Sequence, residues 1–386
     1  MSGVIVQENL KENLKENLKA SLQERLQGSL QDNLEGVQHG DLIVREQGAL
    51  RRITLNRPKA LNALTLDMSV TMTALLRAWA ADPAVGAVLL DGAGERGLCA
   101  GGDIRALYDA AKSGGTLPEQ FWAAEYYLDA LIARYPKPFI AVMDGLVMGG
   151  GVGLSTHAAH RIVTERSAVA LPEVGIGFFP DIGASYWLAR TPGFAGTYMA
   201  LTGERMNAAD AIFCKFADVH IASAKLAELP QALAGCRSAE DVRARLGALA
   251  SAPAAGKIEA ARSWIDACFG ANDVEGIVAR LATAKNDAAQ AALATMQKMS
   301  PTSLKVALRN VRDGASFKRL EESFQQDYRI ALACIAGHDF IEGIRAQIVD
   351  KDRNPRWRPD TLEGVTPDIV DRHFKSVGDL ELHFAD

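Results

Sequence analysis

Two glycine-rich segments contain the residues best suited to hold a negative charge. They are Cys99-Ala-Gly-Gly-Asp103 and Met148-Gly-Gly-Gly-Val-Gly153. Each follows a strand-like run and precedes a helix-like one, so its glycines expose unpaired backbone N–H groups at the start of a helix. Such groups bind a phosphate or stabilise a developing oxyanion. The alternative interpretation is a pair of structural turns without a ligand.

The glycine spacing disfavours the two common nucleotide-binding patterns. A P-loop requires G-x-x-x-x-G-K-[ST], which the sequence does not contain. The dinucleotide pattern G-x-G-x-x-G fits Gly149 and Gly151 but requires a glycine where Leu154 stands. Oxyanion stabilisation and structural turns therefore remain as the two interpretations.

Two carboxylates, Glu173 and Asp181, lie in an otherwise apolar and glycine-rich run at residues 171–183. An acid in apolar surroundings is partly desolvated, which raises its pKa and suits proton transfer. The alternative for Glu173 is a capping acid, and Pro-Asp-x-Gly around Asp181 is also a turn signal. Cys99 has no paired base in the sequence that would make it a nucleophile, so we predict a core or lining role.

Seven histidines are scattered along the chain, and no H-E-x-x-H pattern occurs. We therefore expect no metal site. His157 and His160 share one face of a predicted helix without an acid near them in sequence. A structural role is predicted for both.

The elements that must position these residues alternate between strand and helix. Short strands are predicted at 41–44, 49–55, 85–91 and 139–144, with a helix at 66–81 that ends before a proline. This alternation is typical of an α/β protein. From about residue 236 the chain is rich in alanine, and its helical patterns fall at 239–250, 254–269, 274–298, 302–313 and 318–335.

The pattern predicts three parts, namely an extension (1–39), an α/β core with the active site (40–235) and a helical C-terminal region (236–386). The extension repeats leucine every four residues from 10 to 34. A stripe with that spacing drifts around a helix and cannot form a coiled-coil seam. We interpret the extension as a solvated helical or disordered segment, with a partner-binding helix as the alternative.

Composition limits the partners of the 386-residue chain. The net charge of −5 argues against nucleic acid as a partner. No apolar run reaches the ~18 residues of a membrane span. Five cysteines without a C-x-x-C pair indicate reduced thiols and a cytoplasmic setting. Residues 1–39 are too acidic for a good mitochondrial presequence, with glutamate at 8, 12, 16 and 24.

The segments Leu55-Asn-Arg-Pro-Lys-Ala-Leu-Asn62, 99–103, 148–153 and 172–183 resemble the enoyl-CoA hydratase/isomerase (crotonase) superfamily. More narrowly, the chain resembles the 3-hydroxyisobutyryl-CoA hydrolase branch, which is linked to valine degradation. The narrower resemblance adds Ser300-Pro-Thr-Ser303, Gly337-His-Asp-Phe340, Glu342-Gly-Ile-Arg345, Asp350-Lys-Asp352 and Pro355-Arg-Trp357. It implies an α/β spiral of repeated ββα units with a helical C-terminal region.

The resemblance also implies roles for individual residues. The backbone N–H groups of Gly102 and Gly150 would bind the thioester oxygen, and Glu173 would be the catalytic glutamate. Glu125 and Asp181 would line the acyl pocket of the hydrolase branch, with Asp181 completing the catalytic set. The residues that would contact the CoA moiety and the rest of the substrate are Lys59, Ala60, Leu64, Ala100, Gly101, Asp103 and Ile104.

One departure from the hydratase pattern favours hydrolysis. Hydratases carry a second glutamate three residues after the middle oxyanion glycine, and this chain has Gly153 there. We therefore expect a hydrolase of short-chain 3-hydroxyacyl-CoA thioesters, with 3-hydroxyisobutyryl-CoA as the substrate that the resemblance implies and 3-hydroxyisobutyrate and CoA as the products. It needs no cofactor, since CoA is part of its substrate. The alternatives are a hydratase or isomerase of the same fold and a non-catalytic acyl-CoA-binding protein. Nucleic acid and membrane are not expected as partners, and a homo-oligomer is left open.

Overall fold

The computed structural model describes residues 38–384. The predicted extension, with its leucine repeat, lies outside the described residues except for positions 38 and 39. Ten strands occur in the described part: β1 (Gln38–His39), β2 (Leu42–Gln47), β3 (Leu50–Leu55), β4 (Ala87–Gly92), β5 (Gly97–Cys99), β6 (Phe139–Met143), β7 (Leu146–Met148), β8 (His160–Val163), β9 (Ala168–Ala170) and β10 (Val219–His220).

The same part of the chain contains sixteen α-helices and several shorter helical turns. The helices are α1 (Leu66–Ala81), α2 (Ile104–Lys112), α3 (Leu117–Ala133), α4 (Gly150–Thr156), α5 (Ala184–Leu188), α6 (Ala195–Thr202), α7 (Ala208–Phe213), α8 (Leu229–Leu233), α9 (Ala239–Leu249), α10 (Ile258–Phe269), α11 (Val274–Thr283), α12 (Asp287–Met296), α13 (Pro301–Gly314), α14 (Leu320–Ala336), α15 (Asp339–Ile344) and α16 (Pro367–His373).

The strands form a large and a small sheet. The large sheet has the order β1-β2-β3-β4-β6-β8-β10, and its strands are parallel from β3 onward. The small sheet has the order β5-β7-β9 and is parallel throughout. The residues Phe139 to Met143 of β6 are all buried, as expected for a central parallel strand covered on both faces.

The two sheets are built by successive turns of one spiral. Each turn adds one strand to the large sheet, then one to the small sheet, and then a helical segment. The turns are β4-β5-α2, then β6-β7-α4, then β8-β9 followed by the 3₁₀ turn Glu173–Ile176. This arrangement confirms the predicted α/β spiral of ββα units.

Helix α1 shows why its predicted boundaries are correct. The side chain of Thr65 accepts a hydrogen bond from the N–H of Met68 and so caps the helix start. Asp82 leaves the helical conformation immediately before Pro83, because a proline disfavours the α conformation in the residue before it.

The helical C-terminal region is also confirmed, and one of its predicted helices is divided in two. The pattern at 274–298 predicts one helix, and the structure has α11 and α12 instead. The side chain of Asn286 accepts hydrogen bonds from the N–H groups of Ala288 and Ala289. Such a cap begins a new helix, because it pairs N–H groups that have no partner within the helix.

Helix α3 was not predicted, although it contributes to the core and to the site. Its sequence is apolar on most sides, so it lacks the amphipathic periodicity of a surface helix. One continuous hydrophobic core includes side chains of α3 and of helices on both sides of residue 235. The division into parts at that residue stays a prediction. Between residues 38 and 384, no helix has the length and apolar character to cross a membrane.

Candidate active site

Three consecutive strands of the small sheet lead directly to the predicted catalytic residues. Gly102 follows β5, Gly150 follows β7, and Glu173 follows β9. The strands are neighbours in one parallel sheet, with Cys99 paired to Val147. Since the carboxyl ends of parallel strands meet at one edge, residues about 70 positions apart come together there.

The two donor glycines face each other across this edge. A Cβ built on Gly150 would lie 3.6 Å from the amide nitrogen of Gly102. Gly150 is the first residue of α4, so its N–H precedes the first intrahelical hydrogen bond. Beside Gly102, the carbonyl of Gly101 and the N–H of Asp103 pair with Leu64. The Gly102 N–H takes no part in these two hydrogen bonds.

A glycine with positive φ precedes each donor. The φ of Gly101 is +107° and that of Gly149 is +46°, a region that residues with a Cβ rarely adopt. Both glycines stand between the end of a strand, β5 or β7, and the donor glycine that follows. The backbone conformation therefore requires glycine at 101 and 149, and the oxyanion-binding role of Gly102 and Gly150 stays a prediction.

Both turns open into a cavity of about 520 Å³. It contains the three predicted acids together with an aromatic wall formed by Phe121, Trp122 and Phe178. The ring centroids of Trp122 and Phe178 lie 5.4 Å apart in a stacked arrangement. The full lining is Ala100, Gly101, Gly102, Ile104, Phe121, Trp122, Glu125, Met148, Gly149, Gly150, Pro172, Glu173, Gly175, Ile176, Phe178, Asp181, Thr295, Lys298, Met299, Gln347 and Ile348.

Glu173 is one of the acids in this lining. It is buried at the start of the 3₁₀ turn, and its Oε1 lies 3.1 Å from where a Cβ on Gly149 would stand. Its Oε2 has no hydrogen-bond partner within residues 38–384. Burial, with the nearby Asp181 carboxylate, raises the pKa of Glu173 well above its usual range. A carboxyl group in this state is suited to exchanging a proton with a bound molecule.

Asp181 is held by a neighbouring phenol. The hydroxyl of Tyr126 donates to Oδ2 of Asp181 at 2.7 Å. Burial raises the pKa of Asp181 to about 7, although this hydrogen bond acts in the opposite direction. Tyr126 belongs to α3, so the helix that the sequence did not predict positions a predicted site residue.

Glu125, also on α3, lies against the second donor turn. A Cβ on Gly150 would overlap its Oε1, so a larger residue at 150 would have to displace this carboxyl group. Oε1 has no hydrogen-bond partner among the described residues. Burial and the charges of Asp181, Asp129 and Glu173 raise the pKa of Glu125 well above its usual range. The structure therefore brings Glu125, Glu173 and Asp181 into one buried acidic group.

Asp129 is a fourth acid of this group that the sequence interpretation missed. It lies one helical turn after Glu125, and its exposed fraction is 0%. Neither of its carboxylate oxygens has a partner in the described part of the chain. Burial and the charge of Asp181 raise its pKa well above the usual range. Two acids four residues apart in an apolar segment were the signal that could have identified it.

Asp129 also explains the glycine at 153. A Cβ on Gly153 would lie 2.5 Å from Oδ2 of Asp129, closer than side-chain carbons approach. The volume in which a longer side chain at 153 would begin is therefore filled by an acid from α3. The packing around residue 153 therefore leaves no space for a glutamate side chain while Asp129 stays in place.

The residues predicted to contact CoA divide into two groups. Ala100, Gly101 and Ile104 line the cavity beside the first donor turn. The structure does not place Lys59, Ala60, Leu64 or Asp103 in that lining. Lys59 and Ala60 lie in the exposed turn Pro58–Ala60.

Leu64 and Asp103 have structural contacts. Leu64 is buried, and it forms a β-bridge with Gly102. Asp103 caps α2 by accepting from the N–H of Ala106, and it accepts a second hydrogen bond from Arg57 at 2.8 Å. Both residues line a smaller cavity of about 230 Å³.

The C-terminal region supplies lining residues that the sequence did not indicate. Thr295, Lys298 and Met299 come from the end of α12 and the loop after it, whereas Gln347 and Ile348 come from the π-helical segment Arg345–Val349. Such segments occur frequently at functional sites. Because these residues are more than 100 positions from Glu173, nothing in the local sequence pattern connects them to the site.

Several motifs of the narrower resemblance support the segment that carries Glu173. The hydroxyl of Ser300 donates to Oδ2 of Asp339 at 2.6 Å, which fixes the start of α15. A Cβ on Gly343 would overlap the carbonyl of Ile176, so glycine allows α15 to pack against the 3₁₀ turn. Arg345 then forms ion pairs with Glu342 and with residues 350 and 352.

His157 and Cys99 have the surroundings of structural residues, as predicted. One ring nitrogen of His157 contacts the carbonyl of Ile182 at 2.8 Å, and the other accepts from the indole N–H of Trp187 at 3.1 Å. Burial lowers the pKa of His157 to about 4. Burial raises the pKa of the Cys99 thiol to about 12, so the thiol stays protonated and unreactive.

A ββα spiral in which two facing backbone donors and a buried glutamate share one cavity defines a crotonase-type acyl-CoA enzyme. The chain belongs to the enoyl-CoA hydratase/isomerase family, whose profile matches residues 50–374. It is 42% identical to the mitochondrial 3-hydroxyisobutyryl-CoA hydrolase of Rattus norvegicus, over 89% of this chain and 91% of the relative. The corresponding protein of Gallus gallus is 40% identical, over 89% of this chain and 90% of the relative.

Solved structures show the same fold. A carnitinyl-CoA dehydratase from Mycobacterium thermoresistibile is 46% identical with a TM-score of 0.84, over 88% of this chain and 98% of that one. An enoyl-CoA hydratase from Rhodobacter sphaeroides is 39% identical with a TM-score of 0.82, over 89% of this chain and 100% of that one.

The prediction of a cytoplasmic location is wrong by these comparisons, because the hydrolase relatives are named as mitochondrial proteins. The prediction rested partly on the cysteines, and the structure has all five as buried free thiols. Free thiols indicate a reducing setting but do not separate one such compartment from another. The argument against a presequence concerned residues 1–39, and residues 1–37 lie outside the part of the chain that the structure describes.

Proposed function

We propose that this chain hydrolyses 3-hydroxyisobutyryl-CoA to 3-hydroxyisobutyrate and CoA. The observation that carries the proposal is the buried group of Glu173, Asp181 and Glu125 beside the two donor glycines. The hydrolase relatives support the choice of substrate. The reaction needs no cofactor, since CoA is part of the substrate, and we assign it to valine degradation.

The N–H groups of Gly102 and Gly150 bind the thioester oxygen. They stabilise the negative charge that develops when the carbonyl carbon becomes tetrahedral. Loss of one such donor typically costs about 3 kcal/mol in the transition state. Because both donors are backbone groups held by positive-φ glycines, they are oriented before the substrate binds.

Glu173 acts on the thioester carbonyl by one of two routes. As a general base it takes a proton from water, the water oxygen attacks the carbonyl carbon, and the proton passes to the departing CoA sulfur. As a nucleophile its carboxylate attacks the carbon directly, the C–S bond breaks, and water then hydrolyses the anhydride. Its raised pKa makes the carboxylate a stronger base but does not select a route, because both routes start from the ionised form.

Asp181 and Glu125 bind the 3-hydroxyl group of the substrate. Both are buried in the lining of the same cavity, and Oε1 of Glu125 has no partner among the described residues. A substrate hydroxyl gives these acids a hydrogen bond that isobutyryl-CoA cannot give. A buried polar group left unpaired costs about 1–3 kcal/mol, and more if it is charged.

A thiol-release assay tests the reaction. The purified chain is given 3-hydroxyisobutyryl-CoA, 3-hydroxypropionyl-CoA, isobutyryl-CoA and crotonyl-CoA, and free CoA is measured. We expect release from the two hydroxylated substrates, with kcat/KM at least about tenfold higher than for isobutyryl-CoA. Absence of CoA release from all four thioesters would reject the proposed function.

The Asp181→Ala variant tests the assignment of the hydroxyl group. It should lower kcat/KM on the hydroxylated substrates and narrow the difference from isobutyryl-CoA. Asp109→Ala, an exposed acid on α2, is the matched control and should leave that difference unchanged. If Asp181→Ala leaves the ratio of kcat/KM between hydroxylated substrates and isobutyryl-CoA unchanged, Asp181 does not bind the hydroxyl group. Glu125 would then be its binding residue, and Asp181 would only form the turn.

Hydration of an enoyl-CoA is the second candidate, because the two solved structures reported above are named as a dehydratase and a hydratase. It predicts loss of the crotonyl-CoA double bond without release of CoA. The packing of Asp129 against Gly153 argues against a second catalytic glutamate at that position. The crotonyl-CoA arm of the same assay separates the two functions.

A further inference from the structure

Asp181 is followed by a backbone turn that isoleucine does not favour. The N–H of Ala184 donates to the carbonyl of Asp181 at 2.9 Å, which closes a four-residue turn, residues 181–184. Both central residues have positive φ, +56° at Ile182 and +73° at Gly183. Glycine adopts this region freely, but a β-branched side chain there is strained. The rest of the structure must hold Ile182 in this conformation.

The first of the groups that hold it is His157, the residue that follows α4. Its Nε2 contacts the carbonyl oxygen of Ile182 at 2.8 Å, and its Nδ1 accepts a hydrogen bond from Trp187 at 3.1 Å. Because the indole can only donate, Nδ1 is the acceptor and Nε2 carries the proton. The histidine therefore donates to the strained peptide, and its ring is fixed from both sides.

The second group is Asp327 of α14, which binds the next peptide. The N–H of Gly183 donates to its Oδ2 at 2.8 Å, and Asn310 of α13 donates to its Oδ1 at 3.0 Å. Asp327 is fully buried, and Asn310 is 1% exposed. Two helices of the C-terminal region therefore fix the peptide that follows Ile182.

We propose that His157 and Asp327 are positioning residues that hold the 181–184 turn in its strained form. They thereby keep the Asp181 carboxyl group in the lining of the 520 Å³ cavity, where it binds the substrate hydroxyl. Without these two hydrogen bonds, Ile182 relaxes toward negative φ and carries the adjacent Asp181 with it. The kinetic test of this inference rests on the proposed function, whereas the conformation of the turn can be determined from a crystal structure alone.

The test compares substituted chains on a hydroxylated substrate and on one that lacks the hydroxyl. His157→Leu removes the donor, and His157→Gln keeps an N–H at similar reach. His160→Leu is the matched control, because His160 is also buried and lies three residues away. The hydrogen bonds found for residues 181–184 in the described part of the chain do not include His160. The readout is the ratio of kcat/KM for 3-hydroxyisobutyryl-CoA to that for isobutyryl-CoA.

We expect His157→Leu to lower this ratio about tenfold, equal to 1.36 kcal/mol, and His157→Gln and His160→Leu to keep it near the wild-type value. Asp327→Asn offers one acceptor to two donors and should lower the ratio less. General destabilisation would slow both substrates alike, so it would not change the ratio. A wild-type ratio retained in His157→Leu would overturn the proposal.

A structural arm separates this inference from the proposed function. A crystal structure of His157→Leu should show Ile182 at negative φ and a displaced Asp181, whereas Ile182 at positive φ would overturn the proposal. In the His157→Leu background, Ile182→Gly should move the ratio back toward the wild-type value, because glycine adopts the turn without strain. If the wild-type chain releases no CoA, the proposed function fails and the crystal structure still decides the role of His157.

Discussion

The chemistry of this site depends on carboxyl groups that the fold withdraws from water. Glu173 and Asp181 are 7% and 5% exposed, and Glu125 is 2% exposed. Each has a raised pKa, chiefly because burial disfavours the charged form. The charges of neighbouring carboxylates add to this effect at Glu125 and Glu173.

Replacement of the central acid tests its role. Glu173→Gln keeps the volume and removes the base, so kcat should fall by about 10²–10⁴ with the fold retained. The thiol-release rate and the affinity for CoA, measured on the same preparation, separate loss of chemistry from loss of binding. Glu119→Gln is the control, because Glu119 is an acid on α3 outside the cavity lining. More than about a tenth of wild-type kcat in Glu173→Gln would remove Glu173 from the mechanism.

The raised pKa of Asp181 predicts a pH-dependent stability difference. The pKa is about 7 in the folded chain, against an ordinary value of 3.8. Between those values the folded state binds a proton that the unfolded state has lost, so the free energy of unfolding falls as pH rises toward 7. Asp181→Asn carries no charge at any pH. It should therefore be more stable than wild type at pH 8, with little difference at pH 4.

Urea unfolding of both chains at the two pH values measures this difference. Asp109→Asn removes an exposed acid and should show no such dependence on pH. A stability gain in Asp181→Asn that is equal at pH 4 and pH 8 would contradict the assigned pKa.

At the scale of elements, the packing of α3 on α4 makes room for the acids. Glu125 and Asp129 lie one turn apart on α3, and they face Gly150 and Gly153, which lie one turn apart on α4. The glycines of α4 therefore pack directly against the carboxyl groups of α3.

A double-mutant cycle measures this contact. Gly153→Ala places a methyl group 2.5 Å from Oδ2 of Asp129 and should lower the free energy of unfolding by about 1–3 kcal/mol. Combined with Asp129→Ala, the same substitution should cost much less, because the two changes relieve one overlap. Gly247→Ala is the control, since a Cβ there has open space and alanine favours the helix. Additive losses at 153 and 129 would contradict the contact.

The sequence identified the elements whose signals are local. The glycine turns, Glu173 and the capped helix α1 lie in segments whose residue types are sufficient to interpret them. Helix α3 lacks a polar face, and β5, β7 and β9 have three residues each, too few for a periodic signal. Gln347 could not be placed, because its position in the cavity lining depends on tertiary packing. Asp129 was missed, although it follows Glu125 by four residues in an apolar segment.

At the scale of the whole molecule, the C-terminal region completes the site. Lys298 and Gln347 line the cavity, and Asn310 and Asp327 fix the turn after Asp181. Aromatic side chains of α14 pack on α3, with the rings of Tyr126 and Phe324 5.9 Å apart. The spiral core and the C-terminal helices therefore share one hydrophobic core as well as one pocket.

The shared hydrophobic core and cavity predict what happens when the chain is divided at residue 235. Residues 40–235 alone would expose the apolar face of α3 that α14 covers, so they should bind a hydrophobic dye and release no CoA from the substrate. Co-expression with residues 236–386 should restore the complex and part of the activity, because the missing wall and the Asp327 contact return together. Gel filtration and the thiol-release assay measure both outcomes. If residues 40–235 alone folded and retained more than about a tenth of the full rate, the C-terminal region would be an accessory to a site that the spiral builds by itself.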